Sequence, residues 1–333
     1  MRSTLFHLPS HFGPLPLYGW GLLLAVWAVV GGLAFARTAA REGVARAAAA
    51  IGLPLAAAGA FILWGLPLLD DGQGVPIRGY GLLLLVAAAA GTWLSIRRGR
   101  AAGIDADTII ALGTEIFLWG LVGARLFYVL EYHEQFFAEG LVAAVPKVLN
   151  VAAGGLVVFG GLPTAALAAW CFARRRGLPI LALADCIAPG LLVGLAIGRV
   201  GCFLNGCCYG GPCDLPWAVR FPPESPPWLD QAARGLLPPA GAGQPPPWSL
   251  PVHPAQLYAA LDAALLAAVA IAYTPLARRP GEVFALVLTL HPVARLLLEE
   301  IRVDEPPALG TPLSISQLVS LVLLALAAGR STT

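Results

Sequence analysis

Nine runs of mainly apolar residues, near 16 to 36, 47 to 68, 80 to 96, 109 to 130, 151 to 173, 183 to 203, 256 to 274, 282 to 301 and 313 to 329, follow one another along the chain. A hydrocarbon core about 30 Å thick needs roughly 20 such residues per helix, and it offers no water to satisfy a backbone that is not helical. The fold class that follows is all-α: a polytopic membrane protein of about nine spans. Composition agrees, since 58% of the 333 residues are apolar and 12% are charged, whereas an ordinary soluble domain carries about 25% charge. Mean hydropathy is +0.76. A formal net charge of +2 supplies no field for nucleic acid, which is excluded as a partner; the lipid bilayer is the expected one.

Basic residues set the orientation. Arg37, Arg41, Arg46, Arg97, Arg98, Arg100, Arg174, Arg175, Arg176, Arg278, Arg279 and Arg330 fall on one side of the nine runs. The longer loops of the other side hold Arg2, Arg78, Lys147, Arg220, Arg234 and Arg302. The excess of positive charge marks the cytoplasmic side, so the N-terminus is expected outside and the C-terminus in the cytoplasm. Met1 to Pro16 contains one Arg and no small-residue cleavage site, and the first span is expected to be retained.

The longest connection, 205–254, faces out and holds 13 of the 29 prolines together with Trp217, Trp228 and Trp248. Proline at that density forbids a long helix and Trp favours the headgroup level, which describes an ordered cap on the membrane surface. A linker is the alternative, favoured by the Pro/Gly/Ala-rich stretch from Leu236 to Pro247. The segment Pro16 to Leu24 recurs as Pro76 to Leu84, each copy entering a span. That repeat reads either as a two-span duplication or as two Gly- and Leu-rich helix starts that look alike.

Ionisable groups inside a bilayer are costly, so the few present are candidates for function. Arg295, Glu299 and Arg302 follow at i, i+4 and i+7 near the outer end of the eighth span, which puts them on one helical face. Arg199 stands at the outer end of the sixth span, in a Gly-rich segment running from Gly198 to Gly210. Two arginines at one depth make a phosphate site, because a planar, permanently charged fork matches phosphate oxygens. An Arg-Glu-Arg network that only clamps helices is the structural alternative. Cys202, Cys207, Cys208 and Cys213 fall within twelve residues. They read as a disulfide tying the cap to the sixth span, as free thiols packed like small apolar groups, or as a metal or redox site.

Five ordered segments resemble the prolipoprotein diacylglyceryl transferases. Gly198, Arg199, Gly201, Phe203, Asn205 and Gly210 match the family's hallmark in register. Tyr80-Gly-Leu, Gly123-Ala-Arg125 with Tyr128, His253-Pro-Ala-Gln-Leu-Tyr258 and Arg295-x-x-x-Glu299-x-x-Arg302 agree in order. The chain departs from the pattern at Cys202, Cys207 and Phe159, where the family has Asn, Glu and His. The resemblance covers about 75 to 330, which divides the chain into an extra two-span segment, 1–70, and a seven-span transferase-like domain, 75–333.

The resemblance implies transfer of the diacylglyceryl group of phosphatidylglycerol to the lipobox Cys thiol of a preprolipoprotein, in a bacterial inner membrane, without a cofactor or metal. The partners it implies are phosphatidylglycerol and the preprolipoprotein signal peptide. Arg199 and Arg295 would hold the leaving phosphate, Tyr80 and Asn205 would donate neutral hydrogen bonds, and Glu299 would orient the arginines. With Phe159 in place of His, His291 and His253 are the candidate bases, each with a structural role as the alternative. Arg125, Arg302, Gly201, Gly210, His253 and Tyr258 complete the expected substrate-binding set. Two rival functions remain open on the sequence: a repurposed member that binds a lipid headgroup without transferring it, and a transporter suggested by the repeat.

Overall fold

The structure is a computed structural model and describes residues 4–138, 140–150, 155–238, 247–303, 305, 308 and 310–330. It divides into two compact units, Met1–Leu82 and Leu83–Thr333.

The first unit carries short strands that the apolar pattern did not foresee. Strand β1 (Thr4–Leu8) pairs antiparallel with β4 (Val75–Arg78), setting Leu8 opposite Val75 and Thr4 opposite Arg78. Strands β2 (His11–Phe12) and β3 (Leu15–Pro16) form a hairpin. The first span therefore starts later than expected, as helix α1 (Leu22–Glu42). Helix α2 (Val44–Leu68) follows after Gly43 and is loosened by π turns at Ala48–Gly52 and Phe61–Gly65. Trp27 of α1 lies over Gly59 of α2, where any Cβ would overlap the indole ring, so the helices meet through a glycine. Tyr18 donates to Asp70 at 2.5 Å, and the same carboxylate accepts from the Gly72 and Gly74 amides. Both copies of the repeat pass from a strand into a helix, Pro16 from β3 towards α1 and Pro76 from β4 into α3 (Gly79–Ala101).

The second unit is built on the rest of α3 and on α4 (Ala106–Glu131), α5 (Val158–Arg175), α6 (Ile180–Asn205), α8 (Ala255–Tyr273), α9 (Glu282–Glu299) and α10 (Ile315–Arg330), with the small helix α7 (Pro226–Ala233) in the cap. Asp105 caps α4, accepting from the Thr108 amide at 2.8 Å. The fifth expected span begins seven residues later than the apolar run suggested; 151–154 lie outside the described residues. Small residues let the helices approach: a Cβ at Gly123 would overlap Thr164 and the Gly160 carbonyl where α4 meets α5, and one at Gly190 would meet Ser95 and the Gly91 carbonyl where α6 meets α3. Leu112, Phe172 and Leu183 form one buried apolar cluster, and Leu192, Ala270 and Val283 another. Asp185, an ionisable group within α6, caps α9 by accepting from the Gly281 and Phe284 amides at 2.6 and 2.7 Å.

The expectation of a polytopic helical membrane protein holds. Among the described residues, six helices, Leu22–Glu42, Val44–Leu68, Gly79–Ala101, Ala106–Glu131, Ile180–Asn205 and Ala255–Leu276, are long and apolar enough to cross a bilayer. The other three expected spans are the shorter or more polar helices α5, α9 and α10.

Candidate functional site

Helix α6 stops sharply because Gly206 takes a left-handed conformation, φ 79°, and bonds back to the Phe203 carbonyl. The chain then enters the cap, whose described residues have a core of their own. Phe221 and Val252 are fully buried, and the Val219 and Val252 amides and carbonyls pair at 3.1 and 2.9 Å. Ser249 accepts from the Phe221 amide, the Gln231 side chain accepts from the Leu250 amide, and Trp228 donates to the Pro247 carbonyl at 2.7 Å. Trp217 and Trp248 stay half exposed, as headgroup-level side chains do. Much of the Pro/Gly/Ala-rich stretch, 239–246, lies outside the described residues.

The cap's return brings three backbones together. The Gly210 and Gly211 amides donate to the His253 and Ile301 carbonyls at 3.0 and 2.8 Å, and Gly210 forms an isolated bridge with Arg302. A Cβ at Gly210 would collide with the His253 side chain and press on the Ile301 carbonyl, so glycine is required for close backbone passage. The bridge also corrects the expectation of one helical face. Helix α9 ends at Glu299, and Arg302 reaches back to Glu299 from an extended segment paired with the cap.

A charge network occupies this junction. Arg295 pairs with Glu299 on the next turn at 2.6 Å, donates to Glu305 at 3.1 Å and reaches Ser316 on α10 at 2.7 Å. Arg302 pairs with Glu299 at 3.9 Å and with Glu305 at 3.3 Å. Burial pushes the Glu305 carboxyl up, but the hydrogen bond to Ser316 and the charges of Arg302 and Arg295 outweigh it and hold it below the ordinary range. Arg199, half-buried at the end of α6, acts electrostatically on His291, Arg295 and Cys208. His291 sits one turn before Arg295, with Nδ1 buried and 3.9 Å from the Asp262 carboxylate. His253 is tied by its backbone to Gly210 and Gly211, with Nδ1 3.5 Å from the Tyr258 hydroxyl, which accepts from Trp217 at 2.6 Å.

Arg199, His291, Arg295, Glu299 and Arg302 are thus brought together, with Gly210, His253 and Tyr258 joined to them through the cap bridges. Gly201 is buried on α6, and Asn205 is exposed at its last residue, its side chain hydrogen-bonded to the Cys207 thiol. Tyr80 stands on the first turn of α3 in the N-terminal unit, exposed. Arg125, expected to bind substrate, spends its donors on the chain. Its nitrogens give hydrogen bonds to the carbonyls of Lys147, Val148, Asn150 and Gly155, and its guanidinium lies over Tyr128 and Phe136. It organises the α4–α5 connection.

Of the three readings of the cysteines, the structure draws all six as free thiols. Cys202, Cys207 and Cys208 converge, with their sulfurs within 4.8 Å of one another, and Cys213 stands outside the group. Hydrogen bonds from Cys202 and Cys207, with the charges of Arg199 and Arg302, hold the Cys208 thiol well below its ordinary range against the push of burial.

Glu305, Ser316, Asp262, Trp217 and Gln256 were missed by sequence reasoning. Gln256 carried a signal, since it stands within the segment His253 to Tyr258; fully buried, it donates to the Cys207 carbonyl at 2.8 Å. Glu305 lies past the helix, where periodicity gives no information.

Fold and site define a polytopic membrane protein with a cationic cluster where the ends of α6 and α9 meet the start of α10. The sequence profile described as LGT: Prolipoprotein diacylglyceryl transferase matches residues 68–331. A phosphatidylglycerol--prolipoprotein diacylglyceryl transferase of Rhodopirellula baltica is 32% identical over 98% of this chain and 87% of its own length. Proteins of the same name from Frankia alni and Clostridium tetani are 35% and 27% identical over 69% and 77% of this chain, and over 56% and 92% of their own lengths. The chain belongs to the prolipoprotein diacylglyceryl transferase family.

Proposed function

We propose that this protein transfers the diacylglyceryl group of phosphatidylglycerol to the cysteine thiol of a prolipoprotein, in lipoprotein biogenesis. The observation that carries this reading is the convergence of three guanidinium groups, Arg199, Arg295 and Arg302, at the end of the spans, with Glu299 and Glu305 holding two of them in place. The thiol sulfur attacks the glycerol carbon, a C–S bond forms as the C–O bond to phosphate breaks, and glycerol phosphate leaves. No acyl carbonyl is attacked, so stabilising the leaving phosphate is the main electrostatic demand, and preorganised cations answer it. Arg199 and Arg295 take the phosphate, Glu299 fixes the Arg295 fork, Asn205 donates a neutral hydrogen bond, and His291 accepts the thiol proton with Asp262 behind it.

The acceptor enters as the signal peptide of a preprolipoprotein. The protein lies in the bacterial inner membrane with its N-terminus outside, its C-terminus in the cytoplasm and the 205–254 cap outside. Residues 1–70 form an extra two-span segment before a seven-span catalytic domain, 75–333.

Two experiments test the proposal. Reporter fusions after Arg234 and after Arg176 report opposite sides of the membrane; the same side for both overturns the orientation. Expression in a strain depleted of its own diacylglyceryl transferase restores growth, and the Arg199→Ala variant does not. Equal growth with both removes Arg199 from the mechanism, and failure of the wild type while it is inserted in the membrane overturns the activity.

A further inference from the structure

Among the described residues, one group of three or more metal-ligating side chains has its ligand atoms drawn together: Cys202, Cys207 and Cys208. Two details of the backbone build it. Cys202 stands on the last turn of α6 and so on a rigid element, and the left-handed Gly206 returns the chain past it. Cys208 itself has φ 60°, a conformation that a non-glycine residue adopts at a cost. In extended backbone the side chains of neighbouring residues diverge to opposite faces; here those of both Cys207 and Cys208 reach Cys202. Thiols that merely fill space require no such turn. The Cys207 carbonyl is held from behind by the fully buried Gln256, which fixes the second ligand.

We propose that Cys202, Cys207 and Cys208 form a thiolate site for a thiophilic d10 cation such as zinc(II), with three protein ligands and one open position. Tetrahedral zinc with Zn–S of about 2.3 Å sets its sulfurs about 3.8 Å apart, so the observed spread, up to 4.8 Å, closes by about an ångström or less. Each of the three residues is half-buried, none fully enclosed. Three thiolates around a divalent cation leave a net charge of −1. Binding displaces the remaining thiol protons to the medium, among them the one that Cys207 now gives to the Cys202 carbonyl at 3.8 Å. Three protein ligands with a vacant fourth position is the pattern of a zinc site that accepts an exogenous ligand. Metal content is read without any transfer reaction, so this site and the transferase activity stand or fall separately.

The test uses the full chain, purified in detergent under a non-thiol reductant, loaded with zinc and dialysed. The expected result is one zinc per chain, protection of three thiols from alkylation, and, with cobalt(II) as the probe, sulfur-to-metal charge-transfer and tetrahedral d–d bands. Adding a cysteine-containing peptide shifts those bands if the fourth position is open. Cys202→Ser, Cys207→Ser and Cys208→Ser each lose the bound metal, while Cys213→Ser and Cys171→Ser keep it. Thiol protection in the wild type needs no variant and decides the matter if a serine variant fails to fold. Absence of stoichiometric metal in the reduced wild type, full retention in Cys208→Ser, or a Cys202 disulfide in protein purified without reductant would each overturn the site.

Discussion

The Nη1 of Arg295 lies 2.6 Å from Oε2 of Glu299 one helical turn later, and only 4% of the glutamate side chain is exposed. Glu299 is shared with Arg302, so two guanidinium groups depend on one buried carboxylate. Removing one partner of a buried pair leaves an uncompensated charge, at a cost of about 3–5 kcal/mol. Glu299→Ala is therefore expected to lower stability by that order in detergent unfolding, and Glu305→Ala, whose side chain is 25% exposed, by less. The reverse ranking would show that Glu299 does not hold the cluster. Arg295→Lys is expected to keep the charge but lose the fork that serves Glu299, Glu305 and Ser316 together, and hence most of the activity.

The α4–α5 contact gives a sharper steric test. A Cβ at Gly123 meets Thr164 and the Gly160 carbonyl, whereas one at Gly113, on the same helix, meets nothing within 4 Å. Gly123→Ala is expected to cost about 1–3 kcal/mol by overpacking; Gly113→Ala is expected to be neutral or slightly stabilising. Equal melting temperatures for the two variants would contradict the packing described.

The cap is latched to α8 by the Trp217 indole, which donates to the Tyr258 hydroxyl at 2.6 Å. Tyr258→Phe removes the acceptor and leaves the ring, at an expected cost of about 1 kcal/mol. Proteolysis within the cap should then speed up several-fold with little change at the α4–α5 connection. An unchanged cleavage rate would mean that the cap is held by its own core alone.

In the N-terminal unit, the hydrogen bond from Tyr18 is the main reason that the Asp70 carboxyl sits below its usual range, while burial first and Asp70 second push the Tyr18 hydroxyl up to about 12. The lowered acid stabilises the fold above its unfolded value, and that stability fades as pH falls through the lowered value. The raised phenol stabilises the fold below about 10, and that contribution fades as pH rises towards 12. Nicking at the 70–74 turn is expected to increase at both extremes, and Tyr18→Phe should abolish the alkaline limb. An alkaline limb that persists in Tyr18→Phe would assign it to another group.

The spans were legible because hydrocarbon leaves a backbone no option but helix, and Arg199, Arg295 and Glu299 because charge is rare within them. What escaped depends on contacts between distant residues. The pairing of Thr4–Leu8 with Val75–Arg78 joins segments some 70 residues apart. Arg302 shares a face with Arg295 only if α9 continues past Glu299, and the bridge to Gly210 ends that continuation. The meeting of Cys202 with Cys207 and Cys208 hangs on two left-handed residues, Gly206 and Cys208, which C-x4-C-C spacing does not encode. Arg125 had the right chemistry for a phosphate, but the backbone carbonyls of Lys147, Val148, Asn150 and Gly155 accept from it.

Diacylglyceryl transfer itself is measured by incubating the purified protein with phosphatidylglycerol labelled in its acyl chains and a lipobox peptide, and reading label on the peptide sulfur by mass. The expected result is a peptide heavier by one diacylglyceryl group, with glycerol phosphate released in equal amount, and no product from the Arg199→Ala variant despite normal folding. Wild-type protein that binds the lipid and releases no glycerol phosphate would contradict it.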